Sequence, residues 1–294
     1  MIIMKKNTMI DKEFFYKYRS VYKFLHNKMA MFCIFILLLL IIISICAPIL
    51  APYEFDATDL FCMREKPSKA HLLGTDNVGR DILTRLLYGG RASLLVGICA
   101  MTIQLILGTL LGTLSGYYGG IIDSILSHIA DAIMCLPFFV IALSIIAVLE
   151  PGTSKLVVMI GCLMWPNLFR IVRTEVKSMK DNDYIMAAQA MGMSSSEIIR
   201  KHILNNIISP ILVSATLAVA HGIILESALS FLGMGVQPPI SSWGNMLAEA
   251  RNISTLSKNW WMWIPAGFMV TITVLSINSI GEGLRDALDP KECG

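Results

Sequence analysis

Charge is what this sequence has least of. Asp, Glu, Lys and Arg together make 15% of its 294 residues, against about a quarter in soluble domains. That scarcity excludes an ordinary soluble globular chain. A net charge of +3 gives no basic stripe of the kind nucleic acid requires. The phosphate-cradling loop G-x-x-x-x-G-K-[ST] is missing, so the chain by itself cannot hold ATP in that way. H-E-x-x-H and G-x-S-x-G are missing as well, and no cluster of nucleophile, base and metal ligands replaces them. An enzyme is therefore not expected. The seven cysteines (Cys33, Cys46, Cys62, Cys99, Cys135, Cys162 and Cys293) never form C-x-x-C, and most lie in apolar runs. They read as small core hydrophobes, and neither a disulfide framework nor a metal site is expected of them.

What the chain has in excess is apolar length: 55% hydrophobic residues and a mean hydropathy of +0.66. Six stretches read as spans, at about 30–47, 94–115, 121–148, 156–169, 207–232 and 264–280. The fold class expected is all-α, a polytopic membrane protein. Residues 1–28 are basic and read as a cytoplasmic leader to an uncleaved first span; residues 29–294 then form one transmembrane domain. Pro137 breaks the third span, and Trp165-Pro166 distorts a short fourth one. Gly97, Gly108, Gly112 and Gly116 include two small-xxx-small steps that let helices approach closely. Residues 116–120 read as a tight turn, and Trp260, Trp261 and Trp263 as an interfacial aromatic belt. Asp131, His221 and Glu226 are ionisable groups in apolar surroundings. Each either lines a pore or bonds a neighbouring helix, and His221 and Glu226 are near enough in register to share a face.

Two polar intervals carry the motifs. The first, about 51–88, should lie outside, although Arg64, Lys66, Lys69, Arg80 and Arg85 make it basic; the leader and the cations from Arg170 to Lys201 outvote it. Within it Arg80, Asp81 and Arg85 suggest an ion-paired lid. His71 and Asp76 are too few to make a metal site on their own. The second interval, about 174–205, should be cytoplasmic. Tyr184, Ala187, Ala188 and Met191 fall at i, i+3, i+4 and i+7, one small apolar face of a short helix. Asp181 and Asp183 can cap it, Gly192 can stop it, and Ser194 with Glu197 reads as a capping box restarting a helix. From spacing alone this segment is either a docking helix or a helical connecting loop.

Three motifs carry a resemblance. His71, Gly74, Thr75, Asp76, Gly79, Arg80, Asp81 and Arg85 fit H-x-L-G-T-D-x-x-G-R-D-x-x-x-R. Ala187, Ala188, Gly192, Ile203 and Leu204 fit the EAA loop of ABC-importer permeases. The tail from Gly283 fits G-x-R-D-x-L-D-P. The chain therefore resembles the C-type permease subunit of the dipeptide, oligopeptide and nickel importers. It departs from the EAA pattern at Met186, where Glu is usual, and at Asn205, where Pro is usual; the lost Pro lets the second short helix run on.

The resemblance implies the type I ABC-importer permease fold. Tyr184, Met186, Ala187, Ala188, Met191 and Gly192 would couple to the ATPases. The partners implied are a homologous second permease subunit, two ATPase subunits that bind ATP and Mg, an outer solute-binding protein and the lipid bilayer. Location in a bacterial cytoplasmic membrane with both termini inside follows, with a peptide or a nickel or other metal chelate as cargo. The rival is a secondary carrier or channel driven by an ion gradient.

Overall fold

A computed structural model describes residues 21–149 and 152–288. The start of the basic leader (1–20), the Glu150-Pro151 turn and the end of the tail motif (289–294, with Cys293) lie outside the described residues. Among the described residues there is no strand, only one isolated bridge between Thr75 and Asp81. Helix α1 is Lys28–Ile45, capped by the Asn27 side chain. Helix α2 runs Ile82–Tyr118, α3 Gly120–Cys135 and α4 Phe138–Leu149. Helix α5 is Thr153–Lys180, α6 Asp183–Ala190 and α7 Ser195–Phe231. A short α8, Trp243–Leu247, precedes α9, Ile264–Leu288.

Five of these helices are long and apolar enough to cross a membrane, and the α3–α4 pair makes a sixth if its 88° bend is counted within one span. The bend falls at Leu136-Pro137, where the missing proline N–H and the restricted residue before it break the helix. This is the break expected at Pro137. The fourth span is not short, however. Pro166 sits inside a 28-residue helix, buried with Trp165, and α5 continues through the cationic stretch to Lys180. Nor is 116–120 a turn throughout: α2 continues to Tyr118, and the chain reverses only at Gly119 and Gly120, both at positive φ.

The central packing joins α2 to α5. Gly108, Gly112 and Gly116 lie one turn apart on α2, and Leu168, Val172 and Val176 lie one turn apart on α5. A Cβ added at each glycine would come within 2.7–2.8 Å of the matching side chain. Close approach without a side chain between is how helices gain van der Waals contact where lipid offers no hydrophobic drive. At one end of the bundle Tyr117, Val172, Val176, Ile185, Ala188, Ile198, Ile203 and Ile207 form a buried cluster. At the other end Ile82, Leu86, Trp243, Met246, Trp261 and Met262 form another.

Helix α7 is continuous for 37 residues, about 55 Å at 1.5 Å per residue. Its Ile199–Ile203 turn is a π-helical segment. Pro210 cannot donate to the turn before it, while the Asn205 and Asn206 side-chain amides donate to the carbonyls of Lys201 and His202, at 3.0 and 2.6 Å. The helix does run on past Asn205, as the missing proline implies.

Candidate functional site

Helix α6 is held from behind. Ile185 and Ala188 are buried against the α2, α5 and α7 cluster, while Tyr184, Met186, Ala187 and Met191 are exposed. The expected face is thus corrected: Ala188 turns inward with Ile185, and Tyr184, Ala187 and Met191 form the outward stripe. The cap is corrected too. Asn182, not Asp181 or Asp183, takes the N-cap position, and it makes no side-chain cap bond. At the other end Gly192 adopts φ +81, Gly192 N–H donates to Gln189 O at 2.9 Å, and Met193 N–H to Ala188 O at 3.2 Å. That pair of bonds is a Schellman motif, and its left-handed residue is why glycine stands there. Ser194 Oγ then accepts from Glu197 N–H at 3.3 Å and starts α7. The Glu197 carboxylate meets the Ser194 hydroxyl and Lys201 Nζ.

The cations beside this loop are committed to packing. Arg170 Nη2 donates to Asp131 at 2.6 Å, tying α5 to α3 across a half-exposed contact. Arg173 and Lys177 both reach Asp123, which also accepts from Ser115. Lys180 lies over the Tyr117 ring at 5.9 Å. Asp123 was not singled out in the sequence; its spacing of eight from Ser115, across the Gly119-Gly120 reversal, was the available signal.

At the far end of the bundle the motif residues do meet, but with different partners from those expected. Asp76 is the hub. Its Oδ2 accepts from Arg80 Nε at 2.7 Å and from Arg85 Nη1 at 2.6 Å, and its Oδ1 from the N–H groups of Val78 and Arg80. Gly74 and Gly79, both at positive φ, shape the turn around it. Thr75 Oγ1 donates to Cys62 O and accepts from Glu65 N–H. Asp81 does not join the arginines. It caps α2 through Thr84 N–H at 2.8 Å and bonds His71 Nδ1 at 3.0 Å. Arg85 crosses to the segment between α7 and α9, donating to Ser241 Oγ at 3.2 Å.

His71 and Asp76 are not paired for a metal; His71 sits with Cys62 and Glu65 instead. Cys62 is only half-buried, and Cys135 and Cys162 are exposed, so of the described cysteines Cys33 alone is fully buried as expected. A hydrogen bond to Asp59 pushes the Cys62 thiol up from its ordinary value. Of the three tryptophans expected as a belt, Trp261 does not fit one. Trp261 is buried under the first interval, donating to Thr75 O at 3.3 Å, and Trp260 is the exposed one.

Glu226 and His221 point apart: five residues on an α-helix is about 140°. Glu226 is fully buried and accepts from Ser93 Oγ of α2 at 2.9 Å and from Ser230 Oγ at 2.7 Å. Ser93 in turn accepts from Trp243 N–H at 3.1 Å. His221 instead borders an open groove of about 420 Å³ with Gln104, Asn167 and Ser214, polar side chains from α2, α5 and α7. Sequence reading passed over those three uncharged residues because nothing in their spacing separates them from ordinary helix polar positions.

Compared with known proteins, residues 108–292 match the binding-protein-dependent transport system inner membrane component, and residues 18–67 match the N-terminal TM domain of oligopeptide transport permease C. The chain is 42% identical to the dipeptide transport system permease protein DppC of Alkalihalophilus pseudofirmus, over 90% of this chain and 86% of that one. It is 37% identical to the oligopeptide transport system permease protein OppC of Bacillus subtilis, over 98% and 92%. It is 38% identical to DppC of Bacillus subtilis, over 90% and 82%. With its multiple membrane-spanning helices, the chain belongs to the family of binding-protein-dependent transport system inner membrane components.

Proposed function

We propose that this chain is the C-type permease subunit of an ATP-driven peptide importer in a bacterial cytoplasmic membrane, with both termini inside. A homologous second permease subunit completes the path. Two ATPase subunits bind ATP and Mg on the inner side, and a solute-binding protein delivers cargo on the outer side. The chain itself binds no nucleotide and does no chemistry; ATP is hydrolysed by the partners. The names of the relatives support a peptide as cargo over nickel or another metal chelate.

The observation that carries this reading is α6. A helix of eight residues, clamped by Ile185 and Ala188 and presenting Tyr184, Met186, Ala187 and Met191, suits a cleft on a soluble partner. Gly192 turns it directly into the 37-residue α7, so a push on α6 reaches the far end of the bundle without a break. Closure of the ATPases would bias one of two arrangements of the spans, and hydrolysis would release it. The groove of Gln104, Asn167, Ser214 and His221 offers donors and acceptors suited to peptide amides. Glu226 and Asp131 serve as helix contacts in this scheme.

The test is uptake of a labelled dipeptide or oligopeptide into liposomes holding the two permeases, with and without the ATPases. ATP-dependent uptake that needs the ATPases is expected. Gradient-driven transport by this chain alone would overturn the proposal in favour of a secondary carrier or channel.

A further inference from the structure

Cys62, Glu65 and His71 converge in the first loop interval, each offering one ligand atom, with all three atoms within 4.8 Å of one another. Sulfur, carboxylate oxygen and imidazole nitrogen are the three donor types that zinc takes in proteins. We propose that this trio is a zinc site, with the fourth tetrahedral position open to water.

Several features prepare the trio for a cation. The Asp81 carboxylate only accepts hydrogen bonds, and its second oxygen is occupied by the Thr84 N–H and hydroxyl. His71 Nδ1, 3.0 Å from Asp81, is therefore the protonated nitrogen, and Nε2 keeps its lone pair. A ligating histidine whose other nitrogen donates to a carboxylate is the usual second support of a metal centre. The Tyr53 ring stacks on His71 at 4.9 Å and fixes the plane of the imidazole.

The backbone holds the other two ligands. Thr75 bridges Cys62 O and Glu65 N–H through its hydroxyl, its own N–H donates to Glu65 O at 3.0 Å, and Arg64 N–H donates to Asp76 O at 2.9 Å. Arg64, between the two ligands, has φ 55 and is the one non-glycine residue at positive φ among the described residues. Strained backbone persists where its surroundings over-determine it. Here it turns Cys62 and Glu65 to the same side. Glu65 is exposed, so the ion has a path from solvent. Binding releases the Cys62 thiol proton to solvent and leaves thiolate, carboxylate and neutral imidazole on the ion.

The experiment uses the full chain, purified in detergent with a tag free of histidine and stripped with chelator. Zn2+ alone is titrated by calorimetry, and Co2+ alone is followed in the near ultraviolet, where a thiolate-to-cobalt band reports the Cys62 ligand. One equivalent per chain and that band are expected. Cys62→Ser should abolish the band and weaken zinc at least tenfold, with Glu65→Gln weakening zinc tenfold and an unchanged melting point without metal for both. Equal zinc binding by the parent and both variants, or a cobalt band that survives Cys62→Ser, would overturn the site. Because the readout is metal on this chain, it stands apart from any transport result.

Discussion

Arg85 donates through Nη1 to Oδ2 of Asp76 at 2.6 Å, and both side chains are almost completely removed from solvent. Nine positions apart in sequence, they join the loop to the first turns of α2. Removing one partner of a buried pair leaves the other charge uncompensated, which costs about 3–5 kcal/mol. Asp76→Asn should destabilise the protein by about that amount, read as a lowered melting point and faster proteolysis within 51–88. An unchanged melt would mean that Arg85 finds another carboxylate, for which Glu249 at 3.9 Å is the nearest candidate.

The α2–α5 contact makes a second prediction. A Cβ at Gly112 would lie 2.8 Å from Val172 Cβ and 2.9 Å from Phe169 O, neither of which is a flexible tip. Overpacking of this kind costs about 1–3 kcal/mol. Gly112→Val should lower the melting point and the yield of inserted protein. The same change at Leu110, exposed on the other side of α2, should leave both unchanged.

Docking through α6 separates two neighbouring alanines. Ala187→Arg and Met191→Arg place a cation on the outward stripe and should abolish co-purification of the ATPases while the chain inserts and melts normally. Ala188→Arg strikes the buried cluster behind the helix and should damage the loop itself. Full-strength ATPase assembly by the Ala187 and Met191 variants would refute the docking role of α6.

Glu249 supplies a pH prediction. Burial raises its carboxyl above the ordinary 4.5, with Arg85 opposing the rise. A folded value above the unfolded one means that the fold favours the protonated form. The contribution is complete below 4.5 and is lost as pH rises through the folded value. Glu249→Gln keeps an acceptor for Asn77 Nδ2 and should flatten the fall in melting point above pH 4.5. An identical slope in both proteins would exclude Glu249 as its source.

Spacing made much of this legible, and the limits are equally specific. The Gly108, Gly112 and Gly116 strip announced a close helix contact, but not that α5 supplies it, because a glycine row does not name its partner. The L-G-T-D-x-x-G-R-D run announced an ion-paired turn. The pairing within it depends on the positive-φ corners at Gly74 and Gly79, which aim Asp76 at the arginines and Asp81 at His71. On α6 the periodicity located an apolar face, yet a helix wheel alone does not say which of two adjacent stripes meets solvent, and Ile185 rather than Tyr184 turned inward. Trp261 has the composition of a belt residue and the burial of a core residue; only the loop folded over it distinguishes the two.

Among the stitches that join the first loop interval to the segment between α7 and α9 are Trp261 to Thr75 O, Asn77 to Glu249, and Arg85 to Ser241. Segments more than 150 positions apart thereby become one riveted roof over this end of the molecule. A roof of that kind does not split down its own middle. If a second permease stands beside this one, as proposed above, an opening at this end would fall along the seam between the two subunits, and a protein docking here would meet a single landing deck instead of two independent flaps.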